Sequence, residues 1–305
     1  MTLRLSILDQ SPIPDGATPA DALCATLELA RAADDLGYHR MWVAEHHHTA
    51  AFAGTAPEIL VAELLNATQH LRIGSGGVLL PRYEPHKVAE VFRILATLHP
   101  GRVDLGIGRA GGHAHDFPHK LTELTELLET PAPGYTPPQL WLLGASPASA
   151  YTAVTLGVSY AFAHFLRPEP SVPALEIYNF RNTEATAHSA LAVRAVVAST
   201  ATKARELADT YLLWRSRRDL GHDEALPSPL IARAHRWTAQ EKDHADHNSQ
   251  ALIAGTPSEV HDELVELSKI HGVDEIIVNT LTHDPTDRVL SYQLLAEAFH
   301  LTRTT

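Results

Sequence analysis

The chain has 305 residues and a formal net charge of −12, and 45% of its residues are hydrophobic. This apolar content supplies a sizeable buried core and excludes a wholly disordered protein. Only 24 lysines and arginines stand against 36 acidic residues, which argues against nucleic acid as a partner, because affinity for the phosphate backbone depends on many basic contacts.

The single cysteine, Cys24, excludes a framework of internal disulfide bonds. The sequence shows neither an early charged and apolar signal segment nor an apolar run of about 18 residues. We therefore expect a soluble protein of the cytoplasm that does not bind or span a membrane.

Eight short runs rich in branched apolar residues predict β-strands. They are Leu3–Leu8, Met41–Ala44, Arg72–Leu80, Arg102–Ile107, Gln139–Leu143, Ser159–Ala163, Ala190–Ser199 and Glu275–Asn279. Segments with helical periodicity lie between most of them: Pro19–Leu36, Pro57–Thr68, His86–Leu98, Pro147–Leu156, Pro173–Asn179 and Lys203–Arg217, with Asp284–Phe299 closing the series. Alternation of this kind favours a parallel sheet.

Eight repeats predict a closed (β/α)8 TIM barrel that forms a single domain over residues 1–305. An open, doubly wound Rossmann sheet remains the alternative, because periodicity does not distinguish closed strands from flat ones. Two regions interrupt the alternation: residues 110–138, mostly loop, after strand 4, and residues 219–254, an insertion after strand 7. Long connections of this kind in a barrel are often lids or substrate loops.

Polar side chains follow three of the predicted strands. One strand runs into Glu45-His46-His47-His48, another contains Gly76-Gly77, and a third ends at Gly108-Arg109. In a parallel barrel the carboxyl ends of the strands meet on one face, where active sites lie. These residues therefore predict one functional site.

Several motifs, in this order, resemble those of the bacterial luciferase-like flavin monooxygenases. They are Trp42–His47, Arg72–Pro81, Pro100–Arg109, Leu143–Ser149 and the closing Asn279–His283. Each motif alone is a weak signal, whereas several in the right order are a strong one. The resemblance extends from Leu3 to about Phe299.

The resemblance implies a flavin-dependent monooxygenase, often a homodimer. Such an enzyme takes reduced FMN from a separate flavin reductase, reacts with O2 to form a C4a-peroxyflavin, and oxidises a small organic substrate. Relatives that use the deazaflavin F420 for hydride transfer supply one alternative. The others are a non-catalytic barrel that binds flavin or a partner, and a metal-dependent hydrolase. The substrate itself is not predicted.

By the same resemblance, His46 is the general acid/base, Glu45 is its neighbour in the motif, and His47 lines the same pocket. Imidazole suits this role because it titrates near neutral pH. The alternative is a run of surface histidines just past a strand.

The resemblance also implies a set of flavin-binding residues. Gly76 and Gly77 match a bulged, sometimes cis, peptide beneath the isoalloxazine ring; the alternative is a strand bulge without a ligand. Arg109 matches an arginine that contacts the flavin phosphate. The remaining predicted flavin-binding residues are Gln10, with Asp9 and Ser11 beside it near the ring edge, and Gly144, Ala145, Ser146 and Ser149 around the phosphate.

Simpler explanations exist for the segment around Ser146 and for the segment around Asp9. Ser146 is also a good N-cap ahead of Pro147, a role compatible with phosphate binding because both use the same backbone amides. The segment at Asp9 precedes Pro12 and Pro14, and a turn there favours polar residues in any case.

The connection after Arg109 is shorter than in typical members of the family, by about one helix. The missing stretch usually helps to cover the flavin, so we expect weakened or altered flavin binding. The remaining loop holds His113, His115, Asp116 and His119, whose His-x-His spacing suggests a metal. We expect no metal site, because no predicted strand or helix fixes these ligands.

Overall fold

The computed structural model describes residues 3–109 and 115–302. The strands are β1 Arg4–Asp9, β2 Arg40–Val43, β3 Arg72–Leu79, β4 Val103–Gly108, β5 Gln139–Gly144, β6 Ser159–Ala163, β7 Ser189–Val197, β8 Leu252–Gly255 and β9 Glu275–Asn279. The α-helices are α1 Pro19–Leu36, α2 Pro57–Ala67, α3 Pro85–Leu98, α4 Phe117–Glu129, α5 Pro147–Thr155, α6 Ser171–Arg181, α7 Ala201–Asp219, α8 Pro229–Ala234, α9 Ala239–Ser249, α10 Pro257–His271 and α11 Pro285–Ala298.

Eight of the strands close into a parallel barrel. Strands β1 to β7 pair in chain order, β7 then pairs with β9, and β9 pairs with β1. The predicted (β/α)8 barrel is confirmed, and the open doubly wound sheet is wrong. All eight predicted strands are present, each within two residues of its predicted bounds.

The insertion at residues 219–254 carries structure that the sequence pattern does not reveal. It contains α8, α9 and β8, and β8 pairs with the last four residues of β7. Helix α9 buries only Glu241 and Ala245, so it has no apolar stripe to detect. It is held instead by the Thr238–Glu241 capping box and by an Arg217–Glu241 ion pair at 3.1 Å.

The connection at residues 110–138 is also more regular than predicted. Helix α4 occupies Phe117–Glu129 and encloses the short amphipathic piece expected at Leu121–Leu128. No helix in the described part of the chain combines the length and apolarity needed to cross a membrane.

The barrel interior is packed in two layers of different chemistry. The upper, apolar layer contains Leu8, Trp42, Trp141 and Ile277 together with small alanines, and none of its buried members comes from a helix. Below it, towards the amino ends of the strands, lie the buried charges of Arg40, Asp104 and Glu275. The apolar layer therefore forms a floor for whatever binds at the carboxyl ends.

Candidate active site

A cavity of about 630 Å³ opens at the carboxyl ends of the barrel strands. Ten of the predicted site residues line it: Gln10, Glu45, His46, Gly76, Gly77, Arg109, Gly144, Ala145, Ser146 and Ser149. Much of the remaining lining is apolar, including Leu8, Trp42, Leu143, Phe165 and Ile277. Motifs up to 139 positions apart in the sequence thus share one concave site.

Glu45 is held by three donors. Its carboxylate has no exposed surface and accepts hydrogen bonds from His47 Nε2 at 2.5 Å, the Leu79 backbone N–H at 2.8 Å and the Tyr83 hydroxyl at 2.7 Å. Burial and the bond to Glu45 raise the pKa of Tyr83, so the phenol remains a donor. Glu45 therefore joins the end of β2 to the end of β3.

His47, the third residue of the predicted catalytic segment, does not line the cavity. Its side chain is one-fifth exposed, and its Nε2 faces Glu45. This geometry makes it a support for the Glu45 carboxylate. It does not place His47 against a ligand.

His46 is half-buried between polar and aromatic neighbours. Its Nε2 lies 3.2 Å from Gln10 Nε2, and its ring packs on Phe52 with 4.4 Å between centroids. Its Nδ1 is buried and has no hydrogen-bond partner among the described residues. Burial, followed by the charges of Arg218 and Arg194, lowers the pKa of His46 to about 4. The imidazole is therefore neutral at pH 7.

The predicted bulge is present at Gly76 and Gly77. The pairing of β3 with β4 shifts register between Gly76 and Val78, and the Gly76–Gly77 peptide bond is cis. A Cβ atom at Gly77 would lie 2.7 Å from the carbonyl oxygen of Gly106. Backbone packing therefore requires glycine at Gly77, while the same pair also lines the cavity.

The start of α5 forms a polar corner of the cavity. Ser146 is the N-cap of the helix, and its Oγ accepts from the Ser149 N–H at 3.3 Å. The Ser149 hydroxyl donates to the Ser146 carbonyl at 2.6 Å and lies 2.9 Å from the Tyr160 hydroxyl. A Cβ at Gly144 would lie 2.1 Å from Ser149 Oγ, so this glycine makes room for the serine.

A guanidinium also lines this cavity. Arg109 is exposed just beyond β4 and lines the same cavity as Ser146. Helix N-terminal amides, hydroxyls and a guanidinium together suit an anion such as a phosphate.

The first strand divides its predicted residues between two sides. Gln10 lines the cavity, whereas Asp9 points outward, because successive side chains of a strand alternate. Asp9 accepts from Thr26 Oγ1 at 2.6 Å, from the Ser11 N–H at 3.1 Å and from Arg288 Nη1 at 3.0 Å. Asp9 and Ser11 therefore anchor α1 and α11, away from the cavity.

The sequence interpretation missed Arg194. This buried residue of β7 donates from Nη2 to Gln10 Oε1 at 3.4 Å. Its guanidinium lies 5.1 Å from the ring centre of Phe165 and 4.7 Å from that of Tyr211. An arginine within an otherwise apolar strand was the available signal, since arginine is rarely buried.

The described part of the chain contains no group of three or more histidine, cysteine or acidic residues arranged to hold a metal. His115, Asp116 and His119 lie within that part, whereas His113 lies outside the described residues. The predicted absence of a metal site stays a prediction.

Comparison with known proteins identifies relatives along almost the whole chain. The family model of the luciferase-like monooxygenases matches residues 3–129. The N-acetyl-S-alkylcysteine monooxygenase of Bacillus subtilis (strain 168) is 35% identical over 333 aligned positions, which cover 97% of this chain and 98% of that protein. A luciferase-like monooxygenase of Escherichia coli (strain K12) is 32% identical over 323 positions, which cover 96% of each chain.

These alignments are longer than the 305 residues of the chain. The relatives therefore contain segments that have no counterpart here. That difference agrees with a shortened connection, although it does not place the shortening after Arg109.

Solved structures show the same fold. The crystal structure of apo-MsnO8 has a TM-score of 0.88, is 36% identical, and is covered to 99% on both chains. Two more distant barrels show likeness of fold alone. They are the FMN complex of the oxygenating constituent of 3,6-diketocamphane monooxygenase from Pseudomonas putida (TM-score 0.70, 16% identity, 100% of both chains) and an F420-dependent secondary alcohol dehydrogenase with an F420-acetone adduct (TM-score 0.70, 17% identity, 98% of this chain and 99% of that one).

Relatives more than 30% identical cover nearly all of this chain, and its barrel matches theirs in architecture. The chain belongs to the luciferase-like monooxygenases.

Proposed function

We propose that this protein is a flavin-dependent monooxygenase, which takes reduced FMN from a separate flavin reductase and uses O2 to oxidise a small organic substrate. One observation carries the proposal: a single cavity joins the polar corner at the start of α5 to His46 above an apolar floor. A homodimer in the cytoplasm, expected from the resemblance, belongs to the same proposal.

The polar corner fits the phosphate of FMN. Ala148 lines the cavity near the start of α5, where the first backbone N–H groups of a helix lack partners within it. The two bonds of the Ser146–Ser149 capping box are each 3.3 Å long, so phosphate oxygens compete well for these donors. Arg109 supplies the opposite charge from the end of β4.

The floor and one wall fit a flat aromatic ring. Gly76 and Gly77 present a backbone surface without side chains, next to Leu8 and Trp42. The cavity volume lies within the range of about 300–1,000 Å³ that is usual for cofactor and ligand sites.

When bound, the reduced flavin supplies the electrons that activate dioxygen. The residues of this chain bind the phosphate, exclude water with the apolar floor, and present a neutral imidazole at His46. Glu45 holds the ends of β2 and β3 in register beneath that imidazole by its three hydrogen bonds. We therefore assign it a positioning role.

The test begins with anaerobic titration of the protein with reduced FMN, and with reduced F420 in parallel. We expect saturable binding of reduced FMN, weakened about tenfold in Arg109→Met, which corresponds to about 1.4 kcal/mol. Binding of reduced F420 alone would instead support hydride transfer without O2. Binding of neither cofactor would support a non-catalytic barrel.

Oxygen consumption then tests turnover. With reductase, NADH, FMN and a panel of thioether, aldehyde and ketone substrates, we expect substrate-dependent O2 uptake by the wild type and its loss in His46→Gln. His86→Gln is the control, because His86 is largely exposed on α3 and is not among the residues that line the cavity. Equal activity of His46→Gln and wild type would contradict a catalytic role for His46.

A further inference from the structure

Three side chains, one from β7 and two from the segments that follow β1 and β2, form a continuous series of polar contacts that reaches the cavity. Arg194 Nη2 on β7 lies 3.4 Å from Gln10 Oε1, and Gln10 Nε2 lies 3.2 Å from His46 Nε2. Arg194 and Gln10 are both buried, and Gln10 and His46 line the cavity. These contacts thus connect an arginine outside the cavity lining to an imidazole that lines the cavity.

The chemistry of the three groups fixes the direction of their hydrogen bonds. A guanidinium has donors and no acceptor, so only the carbonyl oxygen of the Gln10 amide can face Arg194. The amide nitrogen then faces His46, and this nitrogen has only donors. Its partner, His46 Nε2, must therefore accept, which leaves the ring proton of the neutral imidazole on Nδ1.

Arg194 differs from the other fully buried arginines of the barrel. Arg40 and Arg288 each pair with a carboxylate, whereas Arg194 has no salt bridge within residues 3–109 and 115–302. Its positive charge faces the rings of Phe165 and Tyr211, and its Nε is buried without a hydrogen-bond partner in the part of the chain that the structure describes. A buried charge without a counter-ion is costly, which favours a role other than stability.

Glu45 precedes His46 and lines the same cavity, but its carboxylate is bound by His47, Leu79 and Tyr83, and the charged groups that lower the pKa of His46 are all basic. Arg194 faces it from β7 and Arg218 from α7, and His47 follows it in its own loop. The uncharged Gln10 and Phe52 complete its contacts. With burial, these groups lower the pKa of His46 to about 4, so the imidazole does not take up a second proton near neutral pH.

We propose that Arg194 is a positioning residue: through Gln10 it makes His46 Nε2 an acceptor and holds the ring proton at Nδ1. His46 then offers a neutral N–H donor from Nδ1, the atom that lacks a partner among the described residues. The general acid/base role expected for His46 narrows accordingly to donation from Nδ1. This consequence for catalysis rests on the proposed function, whereas the position of the proton does not.

Long-range ¹H–¹⁵N correlation spectra of uniformly ¹⁵N-labelled protein test the proposal without any cofactor. The His46 signals are identified by their absence in His46→Gln. We expect a protonated Nδ1 and an unprotonated Nε2 near pH 7, which is the opposite of the tautomer that a free histidine side chain prefers in water. A protonated Nε2 would overturn the proposal.

Two arginine variants separate orientation from charge. Arg194→Met removes the donor that orients Gln10, so we expect the preference for Nδ1 to be lost and the pKa of His46 to rise. Arg218→Met is the matched control: this residue lies over Phe52 and Trp214, donates a hydrogen bond to Thr49 Oγ1 and pairs with Asp223, and so does not orient Gln10. It should raise the pKa of His46 and leave the proton at Nδ1. An unchanged tautomer in Arg194→Met would overturn the proposal.

Gln10→Glu provides the inverse test. A carboxylate at this position accepts from both Arg194 and His46, so we expect the proton to move to Nε2 and the pKa of His46 to rise above its ordinary value. Circular dichroism of each variant verifies that the fold is retained. If the proton stays at Nδ1 in folded Gln10→Glu, the inference that the side chain at position 10 sets the tautomer of His46 is wrong.

Discussion

Two buried arginines both contact aromatic rings, but Arg40 at the amino end of the barrel also pairs with two carboxylates, whereas Arg194 at the carboxyl end has no carboxylate partner among the described residues. Arg40 Nη1 is 2.6 Å from Asp104 Oδ2, and its Nε is 2.6 Å from Glu275 Oε1. Arg194 donates one long bond to an amide and leaves its Nε without a partner among the described residues. Both arginines are buried.

The difference indicates that the amino end of the barrel contributes mainly to stability and the carboxyl end to function. At the amino end, further donors complete the network: Arg72 and the Trp42 indole bind Asp104, and the Ser6 hydroxyl binds Glu275 at 2.6 Å. At the carboxyl end, His46 Nδ1 and Arg194 Nε are buried and have no partner within the described part of the chain. Unpaired buried groups are rare in folded proteins, and His46 lines the cavity in which a ligand would bind.

The largest expected effect comes from making the same substitution at both ends. Arg40→Met leaves two buried carboxylates without their main partner, so we expect the free energy of unfolding to fall by about 3–5 kcal/mol. Arg194→Met leaves no carboxylate behind and should cost about 1 kcal/mol or less. Urea denaturation measures both values. Similar losses for the two variants would remove the distinction between the ends.

Two glycines at the carboxyl end are expected to differ in their tolerance of a side chain. Gly77→Ala places a Cβ 2.7 Å from a backbone oxygen and 2.9 Å from its carbon, both of Gly106. We expect a loss of about 1–3 kcal/mol in unfolding free energy from overpacking. Gly108→Ala is the control: its Cβ would meet only Leu79 Cδ2, at 3.7 Å, so a change within about 0.5 kcal/mol is expected. A tolerated Gly77→Ala would show that backbone packing does not require this glycine.

One histidine at each end of the barrel should make stability depend on pH in the same way, but only the one at the carboxyl end should affect catalysis. Burial and neighbouring cations lower the pKa of both His39, beside Arg40, and His46 to about 4. In the unfolded chain these histidines bind a proton near their ordinary pKa of about 6.5. Their contribution to the free energy of unfolding is therefore fully present above that pH and is lost progressively as the pH falls to about 4.

Replacing either histidine should therefore flatten the pH dependence of unfolding. We expect His39→Gln and His46→Gln each to reduce the slope in this window by at most about 1.4 kcal/mol per pH unit. Denaturant titrations at several pH values provide the measurement. Only His46→Gln should also reduce oxygen consumption, and a similar loss in His39→Gln would count against a functional difference between the ends.

The smallest effect concerns helix caps inside and outside the cavity. Ser146→Ala and Thr18→Ala each remove the N-cap of a capping box, at α5 and α1, and should cost about 1 kcal/mol in stability. Thermal denaturation checks this equality. Only Ser146→Ala should weaken binding of reduced FMN, since Ser146 lines the cavity. Equal affinities for the two variants would mean that the start of α5 acts only as a helix start.

Local pattern was sufficient for the strands and for the residues at their ends. The run Glu275–Asn279 and the helix Pro19–Leu36 have the bounds that their apolar periodicity predicts. Gln10, His46 and Ser146 meet in one cavity because the carboxyl ends of parallel strands always share a face. The eight repeats thus predicted the barrel, and the order of motifs predicted the family and ten of the residues that line the cavity.

Tertiary structure alone decided which side chains act together. Helix α9 has no apolar stripe, so its position depends on ion pairs with α7 that local periodicity does not encode. Asp9 and His47 belong to predicted segments, yet the directions of their side chains turn both away from the cavity. Arg194 reaches Gln10 across 184 positions, because closing the barrel brings β7 and β1 to opposite sides of β9. Contacts of this kind arise only when the sheet closes.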